Sequence, residues 1–343
     1  MASSRESQAL LAEIKKFIPP LLEKFHKGQA GRIAVIGGCE DYTGAPFFAA
    51  QSATLLGVDM AHVICESLAG PVIKSYSPNL MVHPYLRDSK TLFPLHSSSS
   101  AKPSPAECSA TIDSDILPPI YALLSRLHVL VIGPGLGRDP VMQEIARKVI
   151  LKAKSLDLHL VIDADGLFLV QHNPDIIKGY SKALLTPNIV EFKRLCNAMS
   201  VSIDSDESPQ SLQQACHSLA LAYSGPTIIA KGHSDYISNG DIQLVCSIPG
   251  GKKRVGGQGD TLSGTAATFL AWKYAYQSHL WDHDNDLTAP RLMALSAYGA
   301  AAVTRFCSCA AYAKYRRAML ASNLSEMISD AYSTLFEDQD SSP

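Results

Sequence analysis

Residues 129–140 read Val129-Leu130-Val131-Ile132-Gly133-Pro134-Gly135-Leu136-Gly137-Arg138-Asp139-Pro140, four aliphatic residues followed by a glycine-rich turn and a proline that opens a helical segment to 154. A second apolar run, Leu160-Val161-Ile162, then meets Asp163-Ala164-Asp165-Gly166. Uninterrupted apolar runs, rather than alternating ones, mark strands covered on both faces, so the stretch reads as strand, crossover helix, parallel strand. Working outward, similar runs stand at 32–36, 60–65, 80–82, 183–185, 227–230 and 243–246, with helix-length segments at 46–56 and 209–222 between them. The pattern predicts an α/β fold: a mostly parallel sheet with helices on both faces and active-site loops beyond the carboxyl ends of the strands. The spacing Gly133-x-Gly135-x-Gly137 is not Gly-x-Gly-x-x-Gly, which argues against a dehydrogenase dinucleotide fold.

Hydrophobic residues make up 46% of the 343 and charged residues 18%, enough apolar material for a large core and too little charge for a disordered chain. Thirty basic against 32 acidic residues leave a net charge of −2, without the positive field of a nucleic-acid or anionic-membrane binder. Small molecules are therefore the expected partners. The eight cysteines form no Cys-x-x-Cys pair, several lie in apolar runs, and they read as reduced thiols. The apolar stretch 293–313 is interrupted by Ser296, Thr304, Arg305 and Ser308 and reads as a packed helix rather than a membrane span. An acid-bearing amphipathic segment at 9–25 resembles neither a presequence nor a signal peptide, so a cytoplasmic location is expected. Residues 1–30 read as a helical lead-in and 31–337 as one domain. Within it the Ser-rich 95–115 reads as a flexible insertion, and 338–343 as a disordered tail.

The densest chemistry lies in Gly250-Gly251-Lys252-Lys253-Arg254-Val255-Gly256-Gly257-Gln258-Gly259-Asp260, with Gly264 one turn further. Glycines let backbone amides approach a phosphate, and a helix starting near Asp260 aims its unpaired N–H groups at the same anion. Asp260 is read either as an N-cap or as a base accepting a proton from an attacking hydroxyl. The run 227–230 ends in Lys231-Gly232-His233-Ser234-Asp235, a cation and a turn at a strand end, suited to nucleotide phosphates. Thr186-Pro187-Asn188-Ile189-Val190-Glu191-Phe192-Lys193-Arg194 sets Asn188 and Glu191 three residues apart, as a capping box or as polar groups ordering a hydrated Mg²⁺. Asp165 reads as a helix cap and Asp163 as a polar contact in the site. Gly37-Gly38 through Tyr42-Thr43-Gly44-Ala45-Pro46 reads as a ligand-facing loop on the same sheet edge, and Asp282, His283, Asp284 and Asp286 as a solvated connection.

In their order, these glycine and acidic motifs resemble those of the ATP-dependent NAD(P)H-hydrate dehydratases, a branch of the ribokinase-like superfamily, from about residue 31 to 306. The resemblance implies a ribokinase-like fold and an enzyme that returns the (6S) hydrate of NADH or NADPH to the working cofactor while ATP becomes ADP and phosphate. It also implies Mg²⁺ as cofactor and Asp260 as the base. ATP would be held by Lys231, Gly232, His233, Ser234 and Asp235 and by residues Gly250 to Gly259. The hydrate would lie against Gly135, Gly137, Asp260 and Asn188 to Arg194, with Asn188 and Glu191 near the metal through water. A separate NAD(P)H-hydrate epimerase is the implied partner, and a homo-oligomer is left open. Two other readings stand beside it: a kinase of the same superfamily acting on a sugar alcohol, a hydroxymethylpyrimidine or a thiazole, and a nucleotide-binding regulator without turnover.

Overall fold

The computed structural model describes residues 5–93, 105–204 and 207–337. Its centre is a nine-stranded sheet: β1 (Arg32–Ile36), β2 (Met60–Glu66), β3 (Met81–Leu86), β4 (Val129–Ile132), β5 (His159–Ile162), β6 (Ala183–Leu185), β7 (Thr227–Ala230), β8 (Asp235–Ser238) and β9 (Gln243–Cys246). The order across the sheet is β3-β2-β1-β4-β5-β6-β7-β8-β9. The first seven strands pair in parallel, and β8 and β9 close the far edge antiparallel.

Every residue of β4, β5, β6 and β7 is buried, as continuous apolar runs require. Successive side chains point to opposite faces, so each strand supplies two cores. Ile33, Val35, Val129, Val131 and Val161 join the helices Gly44–Leu56, Gln258–Gln277 and Ala289–Tyr315 on one side. Ala34, Ile36, Leu130, Ile132 and Leu160 join the helices Leu117–Leu124, Pro140–Ser155 and Pro209–Tyr223 on the other. Full burial of a residue such as Val131 contributes about 1.5–3 kcal/mol, which is why such runs fix the layer order.

The helix Gln258–Gln277 is central. It is buried nearly all round, and at Gly264 it meets the Gly44–Leu56 helix so closely that a Cβ would stand 2.0 Å from the Ala49 carbonyl oxygen. The helix Ala289–Tyr315, extended to Ala318, has the length and hydropathy of a membrane span, but 83% of its most apolar window is buried within the protein.

Several expectations are corrected here. The N-terminal helix runs only over Arg5–Lys15, because Pro19 and Pro20 cannot continue it. β3 extends past residue 82 to Leu86; it is an edge strand, where Pro84 leaves no ladder bond unmade. Residues 105–111 and 112–116, expected to be part of a flexible insertion, are helical; Ile112 and Ile116 insert into the core. The remainder of that insertion and the tail 338–343 lie outside the described residues. β8 was not foreseen, since Asp235 and Ser238 bracket only two apolar side chains.

Candidate active site

Five loops gather at the carboxyl ends of the parallel strands. The chain order reverses between β1 and β4, so the loops after these two strands flank a crevice. They interlock: the Gly38 amide donates to the carbonyls of Pro134 (3.1 Å) and Gly135 (3.0 Å). At Gly133, where φ is +121°, a Cβ would fall 1.9 Å from the Asp163 carbonyl oxygen, so only glycine lets the β4 and β5 loops touch. Asp165, expected as a cap, is instead the first residue of its helix and accepts from the Gly137 amide (2.9 Å) and Arg138 Nε (3.2 Å). Its carboxylate fastens the β4 loop rather than ending a helix.

The loop after β5 supplies Asp163, which is 3% exposed. Lys231 Nζ lies 3.2 Å from Asp163 Oδ1, and Ser263 donates to Asp163 Oδ2 at 2.6 Å. Ser263 is thereby a site residue that sequence reasoning missed; its signal was its place one turn after Gly259 on the same helix face. Burial works against the Lys231 charge, but Asp163, Glu191 and Asp260 together hold its pKa above the ordinary lysine value. The lysine is therefore a permanent cation surrounded by three carboxylates.

Asp260 occupies the third position of the helix Gln258–Gln277, whose N-cap is Gly257 with φ +95° and no side-chain cap. The simple capping reading of Asp260 therefore fails. First-turn amides have no intrahelical acceptors; the Gln258 amide donates to the Val255 carbonyl (3.4 Å), and those of Gly256, Gly257 and Gly259 remain to face an anion beside the carboxylate. Gly256 faces open space, while a Cβ on Gly259 would come within 3.4 Å of Lys231 Nζ and 3.7 Å of Asp163 Oδ2. Burial pushes the Asp260 carboxyl up to about 7; Asp163 reinforces that rise and Lys231 opposes it.

The loop after β6 forms a complete capping box: Asn188 Oδ1 accepts from the Val190 (2.9 Å) and Glu191 (3.0 Å) amides, and Glu191 Oε2 accepts from the Asn188 amide at 2.8 Å. Both side chains already have structural work. Burial nevertheless raises the Glu191 pKa, with Lys231 and the Asn188 amide pulling against it, which places this carboxylate beside the same cation. Its second oxygen has no hydrogen bond among the described residues, so the loop fits a hydrated divalent cation at one carboxylate oxygen. No group of three or more ligands able to hold a bare metal occurs among the described residues.

Other candidates divide. Ile189 and Val190 are exposed beside Glu191, whereas Phe192 is buried in the core and Lys193 pairs with Glu207 at 2.6 Å. Arg194 is exposed. In the turn after β7, Asp235 is committed to Arg305 at 3.1 Å and to the Gly232 amide at 3.0 Å, and Arg305 also donates to the carbonyls of His233 and Ile248. Arg305, one of the residues that interrupts the apolar helix, thus holds the turn 231–235. His233 and Ser234 are surface residues of that turn.

In the segment 250–259, Gly251 packs against Ser308, Lys253 donates to the carbonyls of Arg317 and Met319, and Arg254 donates to the Gly251 carbonyl. Among the described residues Lys252 has no side-chain hydrogen bond, and it is exposed.

A doubly covered parallel sheet ending in an antiparallel pair, with a glycine-led central helix, defines an α/β fold of the ribokinase-like class. Solved structures agree on the fold: a ribokinase-like protein from Enterococcus faecalis aligns with a TM-score of 0.67 at 20% identity, covering 96% of this chain and 95% of that one. The ADP/ATP-dependent NAD(P)H-hydrate dehydratase of Bacillus subtilis, co-crystallized with ATP/Mg²⁺, aligns with a TM-score of 0.62 at 18% identity over 95% and 97%.

The NAD(P)H-hydrate dehydratase family model matches residues 33–330. The ATP-dependent (S)-NAD(P)H-hydrate dehydratase of Neurospora crassa is 47% identical over 98% of this chain and 96% of its own length. That of Schizosaccharomyces pombe is 46% identical over 96% and 94%. The chain belongs to the NAD(P)H-hydrate dehydratase family.

Proposed function

We infer that the protein is an enzyme that uses ATP to dehydrate the (S) hydrate of NADH or NADPH, restoring the reduced cofactor and releasing ADP and phosphate. The observation that carries this reading is Asp260: a carboxylate with a pKa near neutrality, set among the free amides of a helix start and within the field of Lys231. A base needs a pKa close to the working pH, and a phosphoryl group needs amides and a cation; here the two requirements meet at one helix turn.

The hydrate lies over the crevice between the β1 and β4 loops, against Gly135, Gly137 and the exposed start of the Ile189–Ala198 helix. ATP enters along the turn 231–235 and the segment 250–259. Asp260 takes the proton of the ring hydroxyl as its oxygen attacks the γ-phosphorus, and ADP leaves. Phosphate then departs with the C–O bonding electrons while the adjacent ring carbon loses a proton, which restores the double bond. Lys231 balances the charge of the transferred group, and amides of the Gly256–Gly259 turn donate hydrogen bonds to its developing negative charge.

Glu191, with Asn188 orienting it, would hold Mg²⁺ through water, and the ion would supply charge neutralisation at the ATP phosphates. Asp163 and Ser263 keep Lys231 in position. The assignment includes a cytoplasmic location, consistent with eight cysteines outside any disulfide, five of them buried. It also includes a separate epimerase that presents the (S) form.

The test is to mix the protein with the (6S) hydrate of NADH, Mg²⁺ and ATP, following dihydronicotinamide absorbance and phosphate together. One phosphate per NADH recovered, only with ATP, is expected. A stable phosphorylated product with no NADH would overturn the dehydratase in favour of a kinase.

A further inference from the structure

At the opposite edge of the sheet, where β5 and β7 begin, a cleft of about 650 Å³ opens between His159, Lys182, Thr227 and Lys273 on one side and Leu221, Pro290 and Met293 on the other. It is remote from the site described above. Asp163 and Lys231 follow the last residues of the strands whose first residues, His159 and Thr227, line this cleft. Lys273 sits thirteen residues after Asp260 on one helix, a span of about 20 Å at 1.5 Å per residue.

The wall is unusual in its hydrogen bonding. Lys273 is 2% exposed; its Nζ reaches Gln277 Oε1 at 2.7 Å and His159 Nε2 at 2.8 Å, and among the described residues it contacts no carboxylate. The nearby Asp157 is taken by Lys182. Thr227 Oγ1 is buried without a hydrogen-bond partner among the described residues, and the His159 ring lies against the His128 backbone. His159 and Thr227 are 1% and 0% exposed. The polar wall therefore holds a buried amine that has two hydrogen-bond acceptors but no counter-ion, beside one unpaired hydroxyl. Buried donors left unpaired cost about 1–3 kcal/mol each, and a buried lysine without a counter-ion is more expensive still.

We infer that this cleft is a second binding site, which takes a small organic oxyanion: a carboxylate or phosphate head that supplies Lys273 with its counter-charge, and an uncharged body against Leu221, Pro290 and Met293. The volume falls in the range of small-ligand pockets. Burial, reinforced by Lys182 and opposed by Asp157, brings the Lys273 pKa down to about 7. The His159 pKa is lowered by burial and by Lys273 and Lys182, against a hydrogen bond to the His128 backbone that raises it, so the ring is neutral. Asp241 and Tyr274 complete the titratable groups along the cleft. An oxyanion at Lys273 supplies the missing counter-charge and draws a proton onto the amine, so binding is accompanied by proton uptake above neutral pH.

The experiment is isothermal titration of the full chain with benzoate and, separately, inorganic phosphate, each in two buffers of different ionisation heat. Wild type should bind at least one probe with proton uptake; tighter benzoate assigns a carboxylate head, tighter phosphate a phosphate head. Lys273→Met should weaken that probe at least tenfold and abolish the uptake. Leu221→Trp, which fills the mouth and leaves the lysine intact, should also block binding. Absence of heat for both probes up to about 10 mM in a protein that still binds ATP would overturn the proposal. So would equal affinity in wild type and both variants.

Discussion

The two ends of the helix Gln258–Gln277 make opposite use of one physical effect. At the amino end, burial lifts a carboxyl to about 7; toward the carboxyl end, burial lowers an amine to about 7. The helix dipole favours charge on both groups, but it contributes only about 0.3–1 kcal/mol, whereas one pH unit is about 1.4 kcal/mol. Desolvation therefore wins at both ends. What separates them is company: Asp260 stands beside helix-start amides and within the field of the Lys231 cation, whereas Lys273 has Gln277 and His159 as neutral hydrogen-bond partners and no carboxylate among the described residues. A near-neutral pKa marks a buried group; its neighbours decide what the group is for.

The strongest test of that contrast removes one carboxylate. Asp260→Asn should keep the fold and ATP binding and lower turnover by at least ~10²-fold, measured as NADH recovered per ATP consumed. Lys273→Met should leave that turnover within about twofold, because it lies on the order of 20 Å away. An equal loss in both variants breaks the distinction between the ends.

A smaller effect is expected at Lys231. Its removal should raise the apparent KM for ATP about tenfold, equivalent to about 1.4 kcal/mol, and that for the hydrate less; equal changes would place the lysine outside the nucleotide side.

The pH dependence sharpens the amino end further. The chemical step should rise with pH through about 7 as Asp260 ionises. Asp163→Asn removes a neighbouring negative charge and should move this limb to lower pH, whereas Lys231→Ala should move it higher, since Lys231 favours the ionised form. Limbs that coincide in all three proteins would take Asp260 out of the role of titrating base.

The smallest effects concern stability. Asp260 binds protons more tightly folded than unfolded, so its contribution makes stability fall from the ordinary aspartate range up to about pH 7. Lys273 binds them less tightly folded, so its contribution makes stability rise from about 7 toward the ordinary lysine value. Urea midpoints across pH should lose the falling component in Asp260→Asn and the rising component in Lys273→Met. A swapped or unchanged pattern would contradict the opposed burial of the two groups.

Much of the fold was legible because strands buried on both faces must be largely apolar, and runs such as 129–132 and 183–185 match β4 and β6. β8 was illegible, since a four-residue strand bracketed by Asp235 and Ser238 carries no such run. The N-terminal helix was overestimated because an apolar period persists past Pro19 and Pro20, where the backbone cannot follow. At the site, Asp260, Lys231 and Glu191 announced themselves by residue type at strand ends or beside glycines. Ser263 and Arg305 did not: their partners, Asp163 and Asp235, lie 100 and 70 residues away in the chain.

Taken alone, the sequence determined the layer order and the set of loops on one sheet edge, because burial periodicity and glycine turns are local properties of the chain. Only the tertiary structure decided which polar groups share a field. It placed Lys231 among three carboxylates, turned Asp165 from a cap into a loop fastener, and left Lys273 with no counter-ion among the described residues at the far end of the helix that begins at Gln258. Charge interactions and desolvation depend on distances in space between residues far apart in sequence, and those distances exist only once the sheet has closed.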